Sequence, residues 1–248
     1  MRTHAGNGRT GARRTAIAIA LSATTLLAQP PPRGVALSPT SADLKGPRGS
    51  TEFSVFNLTP RPVHVSVEAA DFTLPDDTIR LTHSDCPFSA RPFLTEIYPG
   101  SFLLPPGRSR QIRISYAIPD PRPAGYHAAL VITFRTPARA DTSTPQADFA
   151  PKLLFLLTIT VGHPTHDAQI SRFTVKEGRA MITVRNSGST HFRLNGGSHI
   201  AGRQLPPFLV LPGSERTFTV PISEEEADRP LDASLDTGAL ILKARRIP

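Results

Sequence analysis

The chain has 248 residues, 39% of them hydrophobic, with no tryptophan and 26 prolines against 17 glycines. That much proline excludes long helices and favours short strands joined by turns, and the length suits one large domain or two of roughly 100 residues each. The formal charge of +8 is weak evidence for a nucleic-acid partner, because Arg2, Arg9, Arg13 and Arg14 supply four of those charges and a cleaved leader would leave +4.

The leader comes first in the chain. A basic stretch without acidic residues precedes the apolar run "AIAIALSATTLLA" (16–28), which is too short for a bilayer at about 20 residues. "QPPPRG" follows and stops any helix. Residues 1–28 are therefore expected to be a cleavable export signal, with the mature chain outside the cytoplasm and without stable membrane insertion. The Arg13–Arg14 pair also admits a twin-arginine route, although its surroundings fit that pattern poorly. Cys86 is the sole cysteine, so no intrachain disulfide forms despite the oxidising destination.

From residue 34 the pattern is strand, turn, strand. "GVALSPTSADL" (34–44) is a proline-interrupted edge strand. "TEFSVFNLT" (51–59) and "RPVHVSVEAADF" (61–72) alternate apolar and polar positions. A polar, irregular stretch fills 73–92, and "SFLLPPGRSRQIRISYAI" (101–118) reads as strand, tight turn, strand. "GYHAALVITF" (125–134) and "KLLFLLTITV" (152–161) close the set. Such spacing indicates an antiparallel sandwich. "HPTHD" (163–167) has linker composition, and the pattern then restarts with "AQISRFTV", the turn "KEGR" and "AMITVRNSG", a hairpin over 168–188. The phrase "FLLPPGRSRQIRI" (102–114) returns as "FLVLPGSERTFTV" (208–220). The expectation is an all-β chain with two immunoglobulin-like β-sandwich domains, 34–162 and 167–248.

The stretch 152–161 departs from alternation. Leu157, Ile159 and Val161 oppose Thr158 and Thr160, but Leu153, Leu154, Phe155 and Leu156 make its first half apolar on both faces. Two readings stay open at this level: a strand waiting for a partner, or one covered within the protein. A one-residue slip would exchange its faces.

In order and spacing, "VALSPTSADL", "FSVFNLTPRPVHVSV", "FLLPPGRSRQIRI", "GYHAALVITF", "KLLFLLTITV", "ITVRNSGSTHFRL" and "LVLPGSERTFTV" resemble the PapD-like periplasmic pilus-assembly chaperones. The resemblance implies two immunoglobulin-like domains set at an angle, a periplasmic location, and pilus-type subunits as partners, with an outer-membrane usher. In that family the last strand of the first domain is lent to an incomplete subunit, an instance of β-strand addition. Carried over, it puts Leu154, Leu156, Thr158 and Thr160 toward the client, Lys152 as a basic contact, and Leu153, Phe155, Leu157 and Ile159 in the core. The polar loop 136–150 would order when a partner docks. The family's two basic carboxylate-binding positions fall here on Ser41 and near Leu156, so that anchor does not transfer, and Lys45 and Lys152 are the basic residues nearby. The competing reading is a structural or adhesive envelope module that recruits no subunit.

Chemistry-bearing motifs are sparse. Asp71, Asp76 and Asp77 lie among turn formers, no second ligand pair accompanies His83 and Cys86, and "HPTH" (163–166) sits in the linker. No nucleophile elbow, phosphate loop or dinucleotide fingerprint occurs. Catalytic residues, a metal, a cofactor and a small-molecule substrate are not expected. "SEEEAD" (223–228) is expected to be a solvated loop, "KARRIP" a basic tail, and Gly125 a turn residue beside the packed ring of Tyr126.

Overall fold

Alternation dictates the strands, and proline dictates where they break. The computed structural model describes residues 34–76, 78–82, 86–136 and 150–248; the stretch 1–28 expected to be an export signal, Asp77, His83 and nearly all of loop 136–150 lie outside them. The first sandwich contains β1 (Val35–Ser38), β2 (Ser41–Lys45), β3 (Arg48–Asn57), β4 (Val63–Thr73), β5 (Arg80–Thr82), β6 (Leu94–Tyr98), β7 (Ser101–Leu104), β8 (Ser109–Ala117), β9 (Ala124–Arg135) and β10 (Lys152–Val161). One sheet runs β1-β3-β8-β6 and the other β2-β10-β9-β4-β5, with β7 beside β4. The single edge strand expected over 34–44 is two strands. Pro39 cannot continue a ladder, and the chain changes sheets there. β1 pairs antiparallel with β3, whereas β2 runs parallel to β10. The irregular stretch 73–92 also holds the short strand β5.

Inward side chains of both sheets make the core. Phe53, Val65, Ile112, Ile114, Leu130, Ile132, Phe155, Leu157 and Ile159 are fully buried, each contributing roughly 1.5–3 kcal/mol of transfer free energy. Phe53 and Phe155 stack across the sandwich with ring centroids 4.5 Å apart.

The second sandwich contains β11 (Ala168–Lys176), β12 (Arg179–Asn186), β13 (Phe192–Arg193), β14 (His199–Ile200), β15 (Arg203–Gln204), β16 (Leu209–Val210), β17 (Glu215–Pro221), helix α1 (Glu224–Ala227), β18 (Leu231–Asp236) and β19 (Ile241–Arg246). Its sheets run β11-β12-β17 and β15-β14-β18-β19, with β13 on β16. The β11–β12 hairpin turns through Glu177 and Gly178, both at positive φ, which matches the twist of the flanking strands. "SEEEAD" is not a plain loop: Ser223 caps the single helical turn of α1 in a reciprocal capping box with Glu226, and Arg203 grips the Glu226 carboxylate at 2.9 Å. The basic terminus is the last strand rather than a free tail. Among the described residues, no helix is long and apolar enough to cross a membrane.

The repeated phrase corresponds to repeated geometry. Asn57 is buried at the end of β3 and donates from Nδ2 to the Arg61 and Leu104 carbonyls at 2.8 and 2.9 Å. Asn186, at the end of β12, donates likewise to Thr190 and Val210 at 2.8 and 3.4 Å. Gly107 and Gly213 close the two Pro-Gly turns at φ of 66° and 67°, a conformation that glycine adopts without a Cβ penalty.

The described residues form one compact unit. Where the sandwiches meet, Phe72, Leu74 and Ala129 of the first pack with Leu209 and Leu211 of the second. Gly125 is required by close approach, not by a turn. It lies within β9, its N–H donates to the Ser189 carbonyl at 2.7 Å, and a Cβ there would stand 2.5 Å from Thr190 Oγ1.

Candidate functional site

β10 is covered unequally along its length. Every residue from Lys152 to Val161 pairs antiparallel with β9, but on the opposite edge β2 pairs only with Leu156–Thr160. Backbone groups alternate sides along a strand. The Pro151 carbonyl accepts from Phe134 N–H on β9, while Leu156 N–H donates to the Thr40 carbonyl and the Thr160 carbonyl accepts from Gly46 N–H. Even-numbered residues therefore aim their N–H and C=O toward the β2 side. At Lys152 and Leu154, no strand of the described residues occupies that side.

The side chains follow the same alternation. Phe155, Leu157 and Ile159 are fully buried in the first core and Leu153 packs against it, in the face assignment expected from sequence. Leu154 and Leu156 face the opposite way and are half-buried. Leu156 rests on the junction cluster of Phe72, Leu74, Ala129, Leu209 and Leu211, so the second sandwich supplies part of its cover. Lys152 is exposed at the open end.

Thr158 and Thr160 are placed differently from Leu154, because β2, which begins pairing at Leu156, fills the edge beside them. Thr158 is 1% exposed; its hydroxyl donates to the Asp43 carboxylate and approaches the Ala42 carbonyl at 3.3 Å. Thr160 is half-buried and lines a cavity of about 480 Å³ with Lys45, Gly46, Gly162, His163, Pro164 and His166. Ser41 and Leu156, the positions that the resemblance assigns to basic residues, stand opposite each other in register. Neither carries charge.

A polar cluster that the sequence did not signal lies directly beyond. Asp43 of β2 accepts from Arg193 of β13 at 3.3 and 3.5 Å, and His191 Nε2 lies 4.0 Å from the same carboxylate. Burial alone would raise the Asp43 carboxyl, but the hydrogen bonds from Thr158 and Arg193 outweigh it and hold it below its usual value. Burial holds the His191 imidazole down, against the pull of Asp43. His127 of β9 is 2% exposed; burial, with His191 nearby, pushes it down to about 4. The one trace of this cluster in the sequence is a histidine inside an otherwise apolar run, "GYHAALVITF".

Cys86 Sγ lies 3.5 Å from His127 Nε2, and burial pushes its thiol up, away from the reactive thiolate. Asp71 is not a turn residue: it is buried in β4, bound to the Ser89 hydroxyl and to Arg91 at 3.0 Å. Asp76 binds Thr78 N–H at 2.7 Å in a turn. No group of three or more His, Cys, Asp or Glu side chains converges to hold a metal ion among the described residues.

No protein-family model and no curated protein matches the sequence. In three dimensions the chain has the fold of the PapD-like pilus chaperones. It matches a chain of the CsuC–CsuE chaperone–tip adhesion subunit pre-assembly complex of the archaic chaperone-usher Csu pili of Acinetobacter baumannii, at 12% identity and TM-score 0.52, over 86% of this chain and 97% of that one. It matches the E. coli chaperone DraB at 15% identity and TM-score 0.51, over 87% and 97%. The complex of the Salmonella enterica SafA pilin with the SafB chaperone matches at 15% identity and TM-score 0.51, over 87% and 98%.

Proposed function

We propose that this chain is a periplasmic chaperone for pilus-type subunits, working with an outer-membrane usher and without cofactor or ATP. It holds an extended client segment by β-strand addition. The observation that carries this reading is the uneven cover of β10: an edge unpaired at Lys152 and Leu154, flanked by outward leucines, that becomes fully paired at Leu156. Backbone hydrogen bonds from Lys152 and Leu154 would dock the client strand, and the Leu154 side chain would enter its apolar groove. The start of β2 at Ser41 sets where the added strand must stop. Client contact thus narrows to Lys152–Leu156, with Thr158 and Thr160 behind β2 rather than in the groove. The shared fold with chains from chaperone–subunit complexes supports the same class of partner.

A non-chaperone envelope module is favoured by one observation, the partial cover of Leu156 by Leu209 and Leu211. Co-expression with pilus-type subunits and affinity capture separates the two readings. Leu154→Asp places a charge on the open edge without touching the junction cluster. It should keep the fold, checked by circular dichroism, and lose captured subunit. Undiminished capture by the folded variant would eliminate strand addition at this edge.

A further inference from the structure

We propose that Asp43, Arg193 and His191 form an acid-sensitive latch that pins β2 between β10 and the second sandwich and releases it as pH falls. β2 is the short parallel strand that terminates the open edge of β10, and its own packing is thin. Of its five residues none is fully buried, and only Ala42 and Leu44 touch the core. Apart from its backbone ladder with Leu156–Thr160 of β10, its remaining side-chain hold passes through Asp43. That carboxylate accepts from Thr158 on β10 and from Arg193 on β13, and so ties three separate elements together.

His191 sits directly behind this tie. Its side chain is 11% exposed, and its Nδ1, without a hydrogen-bond partner, would lie 2.9 Å from any Cβ at Gly125. The charged and titratable groups around it are Asp43 on β2, Arg193 on its own segment, His166 after β10 and His127 on β9. Asp43 alone is acidic. A proton on His191 would place a second cation beside Arg193, with one carboxylate to balance the two. Burial adds to the cost, so the closed arrangement excludes the proton. When β2 lifts away, His191 meets water and titrates as an ordinary imidazole. Opening therefore takes up a proton, and acid drives it.

The sign follows from linkage. Above about pH 6.5 both states are neutral at His191 and the latch stays shut. Below that, the open state gains a proton that the closed state refuses, and its population rises by up to about tenfold per pH unit. The consequence is an edge of β10 that lengthens past Leu156 in acid, with or without a client.

Hydrogen exchange read by mass spectrometry tests this on the full exported chain. Protection factors for peptides covering 41–46 and 156–161 are compared at about pH 7.5 and pH 5.5, with the β12–β17 region as reference. Wild type should lose protection in both peptides, by up to about tenfold, on acidification while the reference stays constant. His191→Gln should flatten that pH response to under about threefold, and Asp43→Asn should show low protection already at pH 7.5. Unchanged wild-type protection across this range, an equal acid response in His191→Gln, or wild-type protection in Asp43→Asn would each overturn the latch. Should His191→Gln lose the reference protection through misfolding, the wild-type pH response and the Asp43 variant still decide the question. Neither depends on a client, so the outcome stands apart from subunit capture.

Discussion

Replacing His127 by glutamine should remove a defined slice of the protein's acid sensitivity. The imidazole is 2% exposed in β9. Burial is the largest cause of its lowered pKa, about 4 against 6.5, followed by the proximity of His191 and opposed by Asp71. Unfolded chains take up this proton below about pH 6.5, whereas the folded chain refuses it until about 4, so stability falls as pH drops through that window and levels off beneath it. With those two values, the linkage integral costs the fold roughly 2 kcal/mol at pH 5 and roughly 3 kcal/mol below pH 4. Urea unfolding at pH 7.5 and pH 5 measures it, followed by far-ultraviolet circular dichroism because the chain has no tryptophan. His127→Gln will lower stability at both pH values through the altered buried group, but its loss between them should be smaller than wild type's by roughly 2 kcal/mol. Parallel losses in the two proteins, or an NMR titration of the His127 ring centred near 6.5, would refute the reasoning.

Two further substitutions probe the frame around the site. Gly125→Ala drives a methyl group to within 2.5 Å of Thr190 Oγ1 and 2.9 Å of Thr190 Cα, which should cost about 1–3 kcal/mol as overpacking and loosen the junction, seen as faster proteolysis between the sandwiches at unchanged strand content. Asn57→Ala leaves the buried Leu104 carbonyl and the part-buried Arg61 carbonyl without their shared donor and should destabilise the first sandwich by about 1–3 kcal/mol in urea unfolding.

Much of the architecture was legible because its cause is local. Val63, Val65 and Val67 alternate with His64 and Ser66, the pattern of a half-buried strand, and β4 carries them so. The Glu177–Gly178 turn and the twin Pro-Gly turns needed only their own residues' backbone preferences. In β18 Leu231, Ala233 and Leu235 alternate with polar residues and are buried, but the acidic and proline-bearing stretch just before them obscures that period in the sequence. β6, with Glu96 exposed amid only two half-buried apolar residues, had little alternation to read.

By itself, then, the sequence determined most of the strands, their turns and the two-sandwich class, since each follows from period-two patterning and backbone propensity over a few neighbours, and it left the two faces of 152–161 interchangeable by a one-residue slip. Tertiary structure alone decided how much of β10 is open. The pairing of β2 joins residues more than a hundred positions apart, Leu156 with Ser41, and no local pattern encodes a parallel partner at that distance. The same holds for the charges: Asp43, His127, His191 and Arg193 are unremarkable one by one. They become a coupled group only because folding brings three strands and a loop to one place, where the two largely buried imidazoles take a proton at greater cost than in water.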